Sequence, residues 1–157
     1  MEKLAFNTSI NAPREKVWNT LFSDDTYGEW TAPFCEGSRA ETDWKKGSEV
    51  RFMDTGGSGM IAVIEEKIDN EFMSFSMLGE IRDGVEDRDS EQVQQWKGGH
   101  ENYYLDEKNG GTELRIILEV KSMPKEMLGF FETAWPKALD KVKELAELTP
   151  TSKILQD

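Results

Sequence analysis

Two residues of this chain belong to types that often carry chemistry, and each occurs once. His100 is the single histidine and Cys35 the single cysteine. Neither lies at a zinc-ligand spacing from other suitable side chains, and Cys35 follows Pro33-Phe34, which indicates a small apolar residue rather than a nucleophile. Catalytic triads assemble in space rather than in sequence, and nothing else in the chain supports one. We therefore predict no catalytic residue, no metal site and no cofactor.

Two segments imitate known ion-binding or phosphate-binding loops but lack their essential residues. Residues 55–59 have the glycines of a phosphate loop without its lysine, and a strand pattern follows them where a helix is required. Residues 87–91 resemble the start of a calcium loop but lack its glycine and its downstream glutamate. The first segment is therefore predicted to be a hairpin turn. The second belongs to an acidic stretch, residues 82–92, that we predict to be an exposed loop.

Glu101 is the remaining candidate for acid–base chemistry. If Tyr103 and Leu105 face the interior, the two-residue period of a strand turns Glu101 inward as well. A carboxyl group between a sheet and a helix would have a raised pKa if it lacked a partner, and it could anchor a ligand or transfer a proton. The interpretation that we prefer places Glu101 at the solvent-exposed end of its strand, without a special role.

Large aromatic and thioether side chains suggest a binding pocket. The chain has five tryptophans and seven methionines. Such side chains around a concavity suit an apolar or aromatic small molecule, although each of them is also an ordinary core residue. The predicted ligand-contacting residues are Trp30, Phe52, Met60, Phe75, Met77, Trp96, Tyr103, Phe131 and Trp135.

The periodicity of the chain predicts the elements that must position these residues. They are a strand over 4–10, short helices over 14–22 and 23–30, strands over 39–44, 48–55, 59–68, 72–81, 94–105 and 112–122, and a long helix over 124–148. The long helix has an apolar stripe at steps of three and four. This order predicts an α+β fold in which one helix lies on an antiparallel sheet, with a space between them. The length predicts a single domain, which we place over 1–148. Residues 149–157 have no evident place in the core and are predicted to be a tail.

Charge and hydropathy limit the partners. The chain has 31 acidic and 19 basic residues, a formal net charge of −12, and no basic stripe. We therefore predict no nucleic-acid partner, and the charge serves solubility or, alternatively, the docking of a basic partner. No apolar run approaches the roughly 20 residues of a membrane helix, and no apolar signal segment follows the first residues. With a lone cysteine, these features predict a cytoplasmic protein without membrane insertion, and they leave its oligomeric state open.

Several motifs occur in the order of a known family. They are Ile10-Asn11-Ala12-Pro13 before Val17-Trp18, Trp30 at the end of the second helix, Gly47 before Val50 and Phe52, residues 59–68, Gly111-Thr112-Glu113-Leu114, and Trp135 with Leu139 and Val142. Over residues 3–148 the chain resembles the SRPBCC superfamily of START-like domains. It looks most like the activators of the heat-shock protein 90 ATPase, in their bacterial single-domain form.

The resemblance implies a helix-grip fold, in which a curved antiparallel sheet of six to seven strands wraps around the C-terminal helix. It also implies a cavity between the sheet, that helix and the two short helices, but no particular reaction. Our leading hypothesis is a binding protein for an apolar or aromatic small molecule, such as a lipid. One alternative is a module that associates with a chaperone. The other is a cyclase-type or hydrolase-type enzyme, which would need a buried ionisable group in the cavity.

Overall fold

The computed structural model describes residues 2–148, so the predicted tail over 149–157 lies outside the described residues. Its elements, in chain order, are β1 (Glu2–Ile10), α1 (Arg14–Leu21), α2 (Asp24–Trp30), β2 (Arg39–Glu41), β3 (Glu49–Met53), β4 (Gly59–Ile68), β5 (Phe72–Arg82), β6 (Val85–Asp87), α3 (Glu91–Gln94), β7 (His100–Lys108), β8 (Gly111–Val120) and α4 (Lys125–Glu147).

The strands form one antiparallel sheet in the order β1-β8-β7-β5-β4-β3-β2, and β6 pairs with β5 beside this path. Strands β2 to β6 each pair with the strand before or after them in the chain, and β7 pairs with β8 in the same way. The helices α1 and α2 lie between β1 and β2, α3 lies between β6 and β7, and β1 pairs with β8 at one end of the sheet. The curved sheet, the long α4 and the two short helices after β1 confirm the predicted α+β helix-grip fold. Within residues 2–148 the sheet has one strand more than the six to seven that the resemblance implied.

The apolar stripe of α4 decides how the helix lies on the sheet. Trp135, Ala138 and Val142 recur at steps of three and four, and all three are buried. The helix packs against β1, α1 and α2, and the ring of Trp135 stacks on that of Phe6 at 6.0 Å. Pro136 is in the middle of the helix but on its exposed side, where water can solvate the carbonyl that its missing N–H leaves free.

The acidic segment over 82–92 is largely exposed, as predicted, but it is not a loop. Asp83 and Gly84, with φ angles of 51° and 82°, form a two-residue turn that pairs β6 with the end of β5. Ser90 then begins α3, because its Oγ accepts a hydrogen bond from the Val93 N–H at 3.2 Å. The turn preference of the Asp-Gly pair therefore outweighed the acidic composition on which the loop prediction was based.

The strand predicted over 94–105 is also shorter than expected. It begins at His100, and the preceding residues belong to α3 and a turn in which Gly98 has a φ of 84°. Trp96 consequently lies in that turn and not on a strand. Gly99 fits against the neighbouring strand, where an added Cβ would be 2.7 Å from the Glu119 carbonyl oxygen. Gln94 ends the capped α3, and residues 95–99, which were also predicted to be strand, form the turn that follows it.

Alanine substitutions at Gly84 and Gly129 should have opposite effects on stability. Gly84→Ala forces a Cβ into the left-handed region and is expected to lower the free energy of unfolding by about 1 kcal/mol. Gly129 lies in α4 with open space around its Cα, so Gly129→Ala should raise stability by up to about 1 kcal/mol. Urea unfolding measures both. Equal effects of the two substitutions would contradict the turn geometry.

Candidate functional site

A cavity of about 350 Å³ lies between the sheet and the helices. Its walls come from α2, the segment after α2, strands β3, β4, β5 and β7, the turn between β3 and β4, and α4. Seven of the nine predicted ligand-contacting residues line it: Trp30, Phe52, Met60, Met77, Tyr103, Phe131 and Trp135.

Strand pairing explains why these side chains meet. Phe52 on β3 is the direct partner of Met60 on β4, so both face the same side of the sheet. Met77 on β5 is paired with Ala62, two residues further along β4 on that side. From the helix, Phe131 and Trp135 are four residues apart and project from one face. The two layers thus turn apolar side chains toward each other without filling the space between them.

Trp30 and Trp135 form the inner end of the cavity. Their rings lie 6.0 Å apart, and Phe34 packs edge-on against Trp135 at 4.9 Å. Trp30 is fully buried and donates from its indole N–H to the Leu21 carbonyl oxygen at 3.1 Å. The indole N–H of Trp135 is buried and has no hydrogen-bond partner within the described part of the chain. Trp30 is therefore as much a core residue as a cavity wall.

Two predicted residues lie elsewhere. Phe75 does not line the cavity but is buried behind it, with its ring 5.3 Å from that of Phe52 and 5.9 Å from that of Tyr103. Trp96 lines a second cavity of about 280 Å³. The two cavities share the side chains Met60, Met77, Glu101 and Phe131. They are therefore adjacent spaces, separated by flexible methionines and one phenylalanine.

The structure contradicts the preferred interpretation of Glu101. Its side chain lines both cavities, and its neighbours across the sheet are Phe75 on β5 and Leu118 on β8. Burial among such groups raises the pKa of Glu101 to about 7, and the interaction with the Tyr103 hydroxyl offsets part of the rise. The strand parity was correct. The predicted position at the solvent-exposed end of the strand was wrong, because Met127 and Phe131, on the first half of α4, extend over this part of the sheet.

The sequence analysis missed several polar residues on the walls. Tyr27 is buried beside the cavity, and burial together with the charge of Glu101 raises the pKa values of Tyr27 and Tyr103 well above that of a free phenol. Thr31, Cys35 and Ser38 line the same cavity on the segment after α2. Tyr27 could have been found from its spacing, because it is three residues before Trp30 on one helix face. The loop residues carry no such signal.

Two other ionisable groups line these cavities, Asp54 the larger and His100 the smaller, and each contacts another part of the protein. His100 contacts the Glu65 carboxylate, with Nε2 and Oε1 separated by 3.0 Å. Asp54 accepts hydrogen bonds from the backbone N–H groups of Gly56 and Ser58 at 2.7 and 3.0 Å, which holds the predicted hairpin turn. Within residues 2–148, no three histidine, cysteine or carboxylate side chains are grouped to hold a metal. None of the helices there is long and apolar enough to cross a membrane.

The chain matches a known protein family and resembles several solved structures. The family model described as "Activator of Hsp90 ATPase homolog 1-like protein" matches residues 11–147. The solution structure of the Aha1 dimer from Colwellia psychrerythraea is 18% identical with a TM-score of 0.74, and the match covers 94% of this chain and 98% of that one. Protein MLL2253 from Mesorhizobium loti is 16% identical with a TM-score of 0.74 and the same coverage.

A third similar structure is DynU16, from the dynemicin biosynthetic locus. It is 12% identical with a TM-score of 0.71, and the match covers 94% of this chain but 48% of that one. At these identities the likeness shows the fold alone. No curated protein matches the sequence.

Proposed function

Because the chain belongs to the Activator of Hsp90 ATPase homolog 1-like family, as its motifs predicted, and has the helix-grip fold, we propose that it binds a small apolar or aromatic molecule. The observation that carries this proposal is the cavity of about 350 Å³ with aromatic and thioether walls. Its size lies within the range of roughly 300–1,000 Å³ that is typical of small-molecule sites.

The proposed contacts follow from the layers that form the cavity. Phe131 and Trp135 cover the ligand from α4, while Phe52 and Tyr103 support it from the sheet. Met60 and Met77 separate the two cavities, and their flexible side chains can adapt to ligands of different shape. Trp30 closes the inner end, Trp96 meets the part of a longer ligand that enters the second cavity, and Phe75 holds Phe52 and Tyr103 in place.

Two measurements test the proposal. Native mass spectrometry of freshly purified protein should reveal a small molecule that remains bound. Titration with the uncharged aromatic dye prodan should give saturable binding, and Phe131→Asp should weaken it about tenfold or more, because a carboxylate replaces an apolar wall. Phe130→Asp is the matched control, since Phe130 is next to Phe131 but is 47% exposed. An empty protein that also fails to bind prodan would contradict the proposal.

One observation favours a second candidate function, an enzyme of the cyclase or hydrolase type. Such an enzyme needs an ionisable group in the cavity, and Glu101 has a pKa near neutrality there. Its oxygens and the hydroxyl of Tyr103 could hold or transfer a proton at a bound molecule. Native mass spectrometry distinguishes the two functions, because an enzyme would convert the molecule it takes up and a binding protein would release it unchanged.

The association with a chaperone stays a prediction. It is supported by the acidic composition and by the family description, which names an activator of a chaperone ATPase. The cavity does not bear on it, since a docking surface for a protein partner needs no internal space. If the protein proves empty and binds no dye, this surface role becomes the leading hypothesis.

A further inference from the structure

The charges around the cavity indicate which head group its ligand carries. Glu101 reaches both cavities, and none of the described residues lining the larger one is a lysine, an arginine or a histidine. The ion pairs found within residues 2–148 do not include Glu101. Asp54 also lines the larger cavity, and His100 lines the smaller one but contacts the Glu65 carboxylate. The Glu101 carboxyl group therefore faces mainly apolar walls, without an ion pair to a described residue of the protein.

A carboxyl group in such a place makes folding less favourable. Its strand neighbours Phe75 and Leu118 could pack equally well against an apolar side chain, so the core does not require an acid there. A bound cation would remove the cost, because it supplies the missing charge inside the cavity. A bound carboxylate would instead place two like charges close together without a compensating base.

The rest of the cavity also favours a cation. The faces of Trp30, Trp135 and Phe52 are electron-rich, and aromatic faces attract ammonium groups. The Tyr103 hydroxyl is beside Glu101 and can donate a hydrogen bond to the carboxylate while an amine occupies its other oxygen. The net charge of −12 attracts cations toward the protein and repels anions.

We propose that the cavity binds a protonated amine with an aromatic or aliphatic body, and that the amine forms an ion pair with the Glu101 carboxylate. This inference rests on the proposed function and deepens it. Glu101 then selects the ligand by its head group, while the aromatic and methionine walls select it by size and hydrophobicity. Fatty acids and other apolar carboxylates are excluded as ligands by the same arrangement.

Three ligands that share one body and differ in their head groups test the inference. Isothermal titration calorimetry with phenylbutylamine, phenylbutanol and phenylbutyric acid at about pH 8 should rank the amine first by about tenfold and the acid last. Occupancy can be checked independently, because Cys35 lines the cavity and is the single cysteine. The amine should slow the reaction of its thiol with a disulfide reagent at concentrations where the acid does not.

Glu101→Gln identifies the group responsible. It should weaken amine binding about tenfold and change alcohol binding less than about twofold, since the amide keeps the shape but not the charge. Glu107→Gln, at the exposed end of the same strand, is the matched control and should change neither. The advantage of the amine over the alcohol should also shrink at about pH 5, where Glu101 is protonated.

The outcomes separate this inference from the function on which it rests. If the alcohol or the acid binds as tightly as the amine, or if Glu101→Gln leaves amine binding unchanged, the amine assignment is wrong and the binding function stands. Binding of prodan without binding of any phenylbutyl compound would also overturn the assignment alone. If neither prodan nor these compounds bind, both proposals fail.

Discussion

Trp30→Ala is expected to lower the free energy of unfolding by about 4 kcal/mol. The side chain is fully buried, and its ring contacts those of Tyr27, Tyr103 and Trp135 at 5.3, 6.4 and 6.0 Å. Alanine would leave a void that such rigid neighbours cannot close, and it would remove the indole donor to the Leu21 carbonyl oxygen. Urea unfolding followed by far-ultraviolet circular dichroism measures the loss.

Trp96→Ala provides the matched control for this prediction. Trp96 has the same side chain, but it is half-buried and lies in the turn after α3. Its removal should cost about 1 kcal/mol, because much of its surface already contacts solvent or the second cavity. If the two substitutions destabilise the protein equally, Trp30 is not the central core residue that the packing indicates.

Glu101→Gln is expected to make the protein more stable above neutral pH, by an amount on the order of 3 kcal/mol. Burial raises the pKa of the folded-state carboxyl to about 7 from its ordinary value of 4.5. Below about pH 4.5 the group is protonated in the folded and the unfolded chain, so it has little effect on stability. As the pH rises toward 7 the unfolded chain loses the proton first, and the folded state becomes less stable relative to it.

The variant should therefore resemble the wild type near pH 4 and exceed its stability near pH 8, where the buried carboxylate is charged. The difference between the two proteins at each pH is the quantity to compare, because other titrating groups contribute equally to both. Glu107→Gln should change stability by less than about 0.5 kcal/mol at either pH. A wild type that is more stable than Glu101→Gln near pH 8 would contradict the expected destabilisation by the charged carboxylate.

These two predictions distinguish residues that stabilise the fold from residues whose proposed role is to bind a ligand in the cavity. Trp30 does both, so a Trp30 variant that failed to bind a ligand could have lost either its fold or its binding site. Glu101 is expected to destabilise the empty protein, and this is the behaviour of a residue whose favourable interaction comes from a bound molecule. Variants at Glu101 and Phe131 are therefore better probes of function than variants at the tryptophans of the inner end.

Local patterns in the sequence predicted an α+β fold with one helix on an antiparallel sheet, and the family resemblance added the helix-grip arrangement. The alternation in β1 and β8, the apolar run of β4 and the stripe of α4 determine which faces must be buried, and the helix-grip arrangement satisfies them all. The Asn109-Gly110 turn was predicted and has φ angles of 53° and 82°. The Asp83-Gly84 turn carries the same signal, and the prediction failed there because composition was given more weight than turn chemistry.

The cavity depended on the tertiary structure. Phe75 and Met77 alternate onto one face of β5, but only Met77 lines the space, because the rings of Phe22, Phe52 and Tyr103 enclose Phe75. Strand parity turned Glu101 inward, but the reach of α4 over the sheet decided that it lines the cavities and is half-buried. Periodicity specifies the direction of a side chain, whereas an unfilled volume depends on how far two layers stand apart and on every residue between them.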